Sequence, residues 1–200
     1  MDFVALFALS VLLCCIVNCP SVPSYQSETG ALRISKAGGR IDVEDAPNGA
    51  VLNTGGGRIY VKSARQYVKA NTGGGDIVID AIDGSVKATT GSGNINVTMV
   101  GNAGESERDV SISTASGDVT LVVPYGLSLE FDLRLAYTRN TRKEFRIVSD
   151  FPLNQHESDE WSSAEGTPRR YIYGTAKLGA GRNLIKIRNI NGNIYVKRGH

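Results

Sequence analysis

Asp76, Asp80 and Asp118 sit in or beside short segments of alternating apolar residues, and Arg58, Lys62 and Lys69 occur in the same region. Carboxylates that converge with cationic neighbours on one face are what a polysaccharide lyase or hydrolase requires. One group moves the proton and the others hold the charge that develops. Stacked, repeated segments also bring charges of both signs together on a solvated face with no chemical purpose. The sequence favours that second reading. Nucleophilic catalysis has less to work with: the histidines are His156, in a polar stretch, and His200, at the last position, and no nucleophile-elbow motif is present. His156, Glu157 and Asp159 are close enough in sequence to be weighed as metal ligands, yet one histidine and two carboxylates on a loop make a poor preformed site. No catalytic residue, metal or cofactor is assigned, and the chain is read as non-enzymatic. For ligand recognition the residues are Trp161, Tyr171 and Tyr173, because aromatic faces pack on the apolar faces of sugars while their polar tips stay in water. Strand alternation by itself explains both tyrosines and is the favoured reading, with Trp161 covering the core.

Charge and composition narrow the class. Twenty-two basic residues against 20 acidic ones give a net charge of +2 and no basic block, so nucleic acid is not an expected partner. A 41% hydrophobic content is enough for a core and excludes global disorder. Phe3 to Val17 are apolar except for Ser10, too short for a spanning helix and suited to the apolar core of a signal peptide. Residues 1–24 are therefore expected to be a signal peptide or an N-terminal anchor, although no Lys or Arg precedes Arg33. Cys14, Cys15 and Cys19 all fall in this segment, so cleavage would leave no cysteine for a disulfide framework. The expected location is outside the cytoplasm, in the periplasm, outer envelope or cell surface, with membrane contact only through this segment.

A repeat organises the middle of the chain. Gly39-Arg40-Ile41-Asp42-Val43, Gly57-Arg58-Ile59-Tyr60-Val61, Gly75-Asp76-Ile77-Val78-Ile79 and Gly93-Asn94-Ile95-Asn96-Val97 start 18 residues apart. Gly117-Asp118-Val119-Thr120-Leu121 follows after a polar loop. A second alternating segment recurs in each copy, at Val68 to Thr72, Val86 to Thr90 and Val110 to Thr114. One such unit cannot bury its own apolar face, so units must stack. The expectation is an all-β fold: a right-handed parallel β-solenoid with two strands per ~18-residue rung and a single domain over 25–200. Glu44, Lys62 and Asp80 would then form one outward column of alternating charge. The clusters Gly55-Gly56-Gly57 and Gly73-Gly74-Gly75 are expected at corners, where glycine reaches positive φ. They run into strands, not helices, which argues against phosphate loops. Asp76 is replaced by Arg40, Arg58 and Asn94 in the other copies, which argues against a calcium-binding roll.

The C-terminal part is β-rich but irregular in pattern. Leu127 to Tyr137 alternate as one long half-buried strand that covers the stack or closes one end. Residues 150–166 read as an irregular polar stretch, and Gly192-Asn193-Ile194-Tyr195-Val196 returns to the repeat. Lys197 and Arg198 are expected to blunt an exposed terminal edge. The Gly-Asp/Asn-Ile-x-Val units, Ser149-Asp150-Phe151-Pro152-Leu153 and the Leu184-Ile185-Lys186-Ile187 ending occur together. This set resembles the bacterial putative adhesin family, exported domains of unknown function built from such repeats, over about residues 30–197. The resemblance implies a solenoid-like fold at the cell envelope and an adhesin-like binding or scaffolding role, with a surface glycan or an envelope protein as partner. It supplies no catalytic motif, and a fold does not by itself establish a function. The alternatives are a polysaccharide-active β-helix enzyme and a structural element that self-associates through its edges.

Overall fold

Period-2 alternation of Ile and Val with polar residues leaves each segment one apolar face, and only pairing with its neighbours hides both that face and the backbone polar groups. The computed structural model describes residues 30–101, 108–139, 144–164 and 166–199. The segment 1–24, with its three cysteines, and His200 lie outside the described residues. The strands are β1 (Leu32–Lys36), β2 (Ile41–Ala46), β3 (Ala50–Thr54), β4 (Ile59–Thr72), β5 (Ile77–Thr90), β6 (Ile95–Met99) and β7 (Val110–Thr114). They continue as β8 (Val119–Val123), β9 (Leu129–Thr138), β10 (Ile147–Ser149), β11 (Asn154–Glu157), β12 (Arg169–Leu178), β13 (Asn183–Ile190) and β14 (Ile194–Arg198). The fold is all-β. Among the described residues there is no helix, and so none long and apolar enough to cross a membrane.

All 14 strands join one curled, mixed sheet. It has two limbs that share β4 and β5. The first limb runs β2-β4-β5-β6-β8-β14-β10, all parallel. The second runs β1-β3-β4-β5-β7-β13-β9, also parallel, and ends in the antiparallel pairs β9-β12 and β12-β11. Neighbouring repeats pair in the register read from the sequence, Ile41 with Ile59, Ile59 with Ile77 and Ile77 with Ile95. The inner faces of the two limbs meet in a single core. Ala50, Ala70 and Ala88 keep that core thin at first, and Phe131 and Phe151, with ring centroids 5.3 Å apart, fill its far end.

Three features differ from expectation. The second and third repeats are not two strands separated by a turn: β4 and β5 each run 14 residues through both limbs. The bend occurs at Gln66 (φ 62°), which pairs with Gly84, so the chain turns without losing its ladder. The C-terminal part is more regular than expected. β13 and β14 form a further layer inserted between β7-β8 and the pair β9 and β10, and part of the polar stretch forms β11. β14 is therefore not an edge strand, although β10 pairs it only as far as Val196 and leaves Lys197 and Arg198 paired with β8 alone.

The first corner is held by a polar column. Thr54, Thr72, Thr90, Thr114 and Asn189 are in register and all at most 5% exposed. The threonine hydroxyls donate to the carbonyls of Gly39, Gly57, Gly75 and Gly93 at 2.8–3.2 Å, and the Asn189 amide donates to Gly117 O at 3.1 Å. These bonds satisfy carbonyls that the sheet ladder leaves over at the turn. The glycines at this corner answer to close approach. A Cβ on Gly57 would lie 1.8 Å from Gly39 O, and one on Gly75 would lie 2.2 Å from Gly57 O. Neither has a positive φ, so the expected conformational reason is replaced by a steric one. Gly56, the middle glycine of the first cluster, has open space. We predict that Gly57→Ala lowers stability by about 3 kcal/mol through forced backbone displacement, while Gly56→Ala stays within about 0.5 kcal/mol. Urea midpoints of the two variants check this, and equal midpoints would contradict the stacking constraint.

Candidate functional site

The carboxylates singled out from the sequence lie on the outer face of the first limb, where the layers repeat one bond. Asp76 Oδ1 accepts the Asn94 backbone N–H at 2.7 Å, Asn94 Oδ1 accepts that of Asp118 at 2.8 Å, and Asp118 Oδ1 accepts that of Asn193 at 2.7 Å. Asn193 Oδ1 then accepts the Arg146 N–H at 3.1 Å. Each side chain reaches over a glycine corner to the next layer, which is why an Asp or Asn follows the glycine in these repeats. Asp80 accepts from the Tyr60 hydroxyl at 2.6 Å, and this bond raises the phenol's pKa above its ordinary value. Lys62 meets Glu44 at 2.9 Å, the expected outward pairing, which raises the lysine's pKa. Arg58 lies over the Tyr60 ring at 5.9 Å. Lys69 is not with them: it belongs to the second limb and faces the opposite way. Asp76 and Asp118 are two layers apart, about 10 Å at ordinary strand spacing, with Asn94 between them.

The aromatic candidates cluster at the far end of the second limb, on two faces. Tyr171 and Tyr173 are two apart on β12 and share its outer face with Arg134 and His156. His156 stacks on Tyr173 with centroids 4.8 Å apart and planes at 17°, and Tyr173 stacks on Tyr171 at 6.0 Å. Arg134 lies over the Tyr171 ring at 5.4 Å. At this spacing the rings stand on edge, like plates in a row, and their faces are turned to each other. Tyr171 is only 6% exposed. Trp161 packs edge-on against Tyr137 at 5.7 Å and has Arg139 over its ring at 5.1 Å. Tyr137 is one residue out of step with Tyr171 across the β9-β12 pair, so Trp161 is on the other face. The three residues do not form one platform.

Glu157 and Asp159 do not join His156 as a metal centre, and no group of three ligating side chains occurs among the described residues. Glu157 accepts a hydrogen bond from the Tyr137 hydroxyl and pairs with Arg170 at 3.4 Å. Burial, then the Glu157 bond, raises the Tyr137 pKa above the ordinary phenol value. Sequence reasoning missed three of these residues. Tyr137 was visible only as a strand position, and Arg134 only as its polar neighbour. Arg108, fully buried and 2.6 Å from Asp83, had no sequence signal beyond its place in a polar loop.

A family profile, Toastrack DUF4097, matches residues 28–197, nearly all of the described chain. The chain belongs to this family. Toastrack DUF4097 is by its description a domain of unknown function, the class that the repeats pointed to, and it assigns no residue of this chain a role. A solved structure, of a putative cell adhesion protein from Clostridium sporogenes, is similar over 88% of this chain and 97% of its own, at 12% identity and a TM-score of 0.36. That likeness is too distant to inform the site of this Toastrack chain. No curated protein matches it.

The ladder separates a capping role from a catalytic one. Asp118→Asn keeps an acceptor of the kind Asn94 already supplies and should stay within about 0.5 kcal/mol of the parent. Asp118→Ala removes a charge-assisted bond and should cost about 2 kcal/mol. Urea unfolding of both variants checks this. A large loss in the asparagine variant would show that the charge, not the cap, matters here.

Proposed function

We propose that this Toastrack protein is an exported, non-enzymatic element of the envelope or cell surface that binds or scaffolds in an adhesin-like manner. Its architecture, in this reading, is a right-handed parallel β-solenoid with two limbs to a rung, closed at its C-terminal end by β9, β12 and β11. The 18-residue register between successive layers supports that architecture, and the handedness follows from the general rule for parallel crossovers.

The observation that carries the functional reading is the use of Asp76 and Asp118 as caps between layers. A hydrolase of the two-carboxylate type holds its pair either ~5 Å or ~6.5–9.5 Å apart around the scissile bond. Here the ladder places an asparagine between two aspartates and spends an oxygen of each on backbone N–H groups. What remains is an extended, regular surface, suited to contact along its length.

The experiment is incubation of the purified protein with a panel of bacterial and host polysaccharides, followed by mass spectrometry of the bound and free glycans. Retention of intact polymer is the expected result. Shortened products would overturn the non-enzymatic reading and direct attention back to Asp76, Asp80 and Asp118.

A further inference from the structure

The net charge of +2 conceals an uneven distribution. On the outer face of the second limb, Lys69 pairs in register with Lys87, Lys87 with Ser111, and Ser111 with Lys186. With parallel strands about 4.8 Å apart, these residues form a line about 14 Å long that crosses four strands. Lys69 and Lys87 are like charges directly opposed on neighbouring strands, an arrangement that costs stability. On the first limb the equivalent position is resolved by a carboxylate, with Lys62 meeting Glu44 at 2.9 Å. No such partner serves the line: among the described residues, the ion pairs do not include Lys69, Lys87 or Lys186. Two carboxylates adjoin the line: Asp109, which lines one depression with the three lysines, and Asp132, the register partner of Lys186 on β9. Each is engaged elsewhere. Asp109 Oδ1 accepts the Leu184 N–H at 2.7 Å, and Asp132 binds Arg188.

The surroundings of the line mix polar and apolar groups. The line crosses an open depression of about 270 Å³ that Tyr67, Ser85, Asp109 and the exposed Leu184 also line. Asn71, Thr89 and Ser113, in register with one another, flank its other side. The cations in this row have hydroxyl and amide groups beside them, and Lys69 Nζ lies over the Tyr67 ring at 5.6 Å, which leaves no free aromatic face among these residues for bases to stack on. Hydroxyls and amides match the hydroxyls of sugars, and the lysines, none of them held in an ion pair, match anionic groups repeated along a chain.

We infer that this face binds an extended acidic glycan, laid across β4, β5, β7 and β13 with its anionic groups on Lys69, Lys87 and Lys186. The inference rests on the binding reading above and names its ligand class. The anionic groups are carboxylates or sulfates. The attraction is between exposed charges, so it weakens as salt rises.

The test uses the full chain, with polygalacturonate and dextran sulfate as the two acidic probes, neutral dextran as the uncharged one, and duplex DNA as an unrelated polyanion. The variant combines Lys69→Gln, Lys87→Gln and Lys186→Gln, three exposed side chains. A charge-matched control combines Arg40→Gln, Arg58→Gln and Lys197→Gln on the other limb. Binding to at least one acidic polysaccharide is expected, and it should fall about tenfold or more in the first variant, as three exposed charge contacts imply, and far less in the control. Binding of only one of the two supports the inference and identifies the anionic group. Equal losses in both variants, no loss in the first, no binding of either acidic polymer, or equal affinity for DNA would each overturn it. Retention of neutral dextran alone would overturn this inference and leave the general binding reading intact. Cleavage of a bound acidic polymer would do the reverse, sinking the non-enzymatic reading while leaving the lysine line as the binding face.

Discussion

Backbone lies directly on backbone at the glycine corner, and the rest of the molecule is arranged around that contact. A Cβ on Gly57, Gly75, Gly93, Gly117 or Gly192 would fall 1.8–2.4 Å from the carbonyl oxygen of the preceding layer. Such a distance is unavailable to any side chain, so the layers approach at strand spacing only because these positions are bare. Once they do, the inner Ile and Val residues stack in columns, and the carbonyls at the turn need donors. The column of threonines ending in Asn189 supplies them. The Asp and Asn residues after the glycines supply the complementary acceptors for N–H groups on the other side of the same corner. Core, corner and ladder are thus three consequences of one spacing.

That spacing also decides what the polar side chains are free to do. On the first limb, Asp76, Asn94, Asp118 and Asn193 are occupied in holding layers together, and Lys62 is matched by Glu44. On the second limb the same register sets Lys69 against Lys87, and neither forms an ion pair among the described residues. The two outer faces of one sheet therefore differ in character: one is internally satisfied, and the other retains unmatched positive charge. The aromatic residues at the C-terminal end are likewise committed, since His156, Tyr173 and Tyr171 turn their ring faces to one another. Between them and the N-terminal layers lies the stretch that carries the lysine line.

Much of this was legible in the sequence wherever the repeat is strict. The 18-residue step gave the register of Ile41, Ile59, Ile77 and Ile95, and period 2 gave the inward residues of both limbs. The pairing of Lys62 with Glu44 followed from the same arithmetic. What was hidden depends on long-range placement or on what a side chain is spent on. Nothing local shows that β13 enters between β7 and β9, 75 residues from one and 54 from the other, because parallel pairing leaves no mark at either partner. The bend within β4 rests on a left-handed Gln66, a residue type that does not announce it. Asp76 and Asp118 read as candidate acids because a sequence shows the charge of a carboxylate and not the N–H it accepts. For Tyr171 and Tyr173, alternation gives their shared side of the strand and not the direction of their rings.

The insertion of β13 beside β7 carries both the architecture and the lysine line, and disulfide trapping tests it most directly. In a chain with Cys14, Cys15 and Cys19 replaced by serine, Ser113→Cys would be combined with Arg188→Cys in one variant and with Arg134→Cys in another. Ser113 and Arg188 are register partners, whereas Arg134 is one strand further on. A disulfide needs Cα atoms about 4.4–6.8 Å apart, a distance that neighbouring strands meet and a two-strand gap of about 10 Å does not. Mild oxidation should close the bond in the first variant and leave the second reduced. Closure in the second variant and not in the first would place β9 beside β7 and contradict the account.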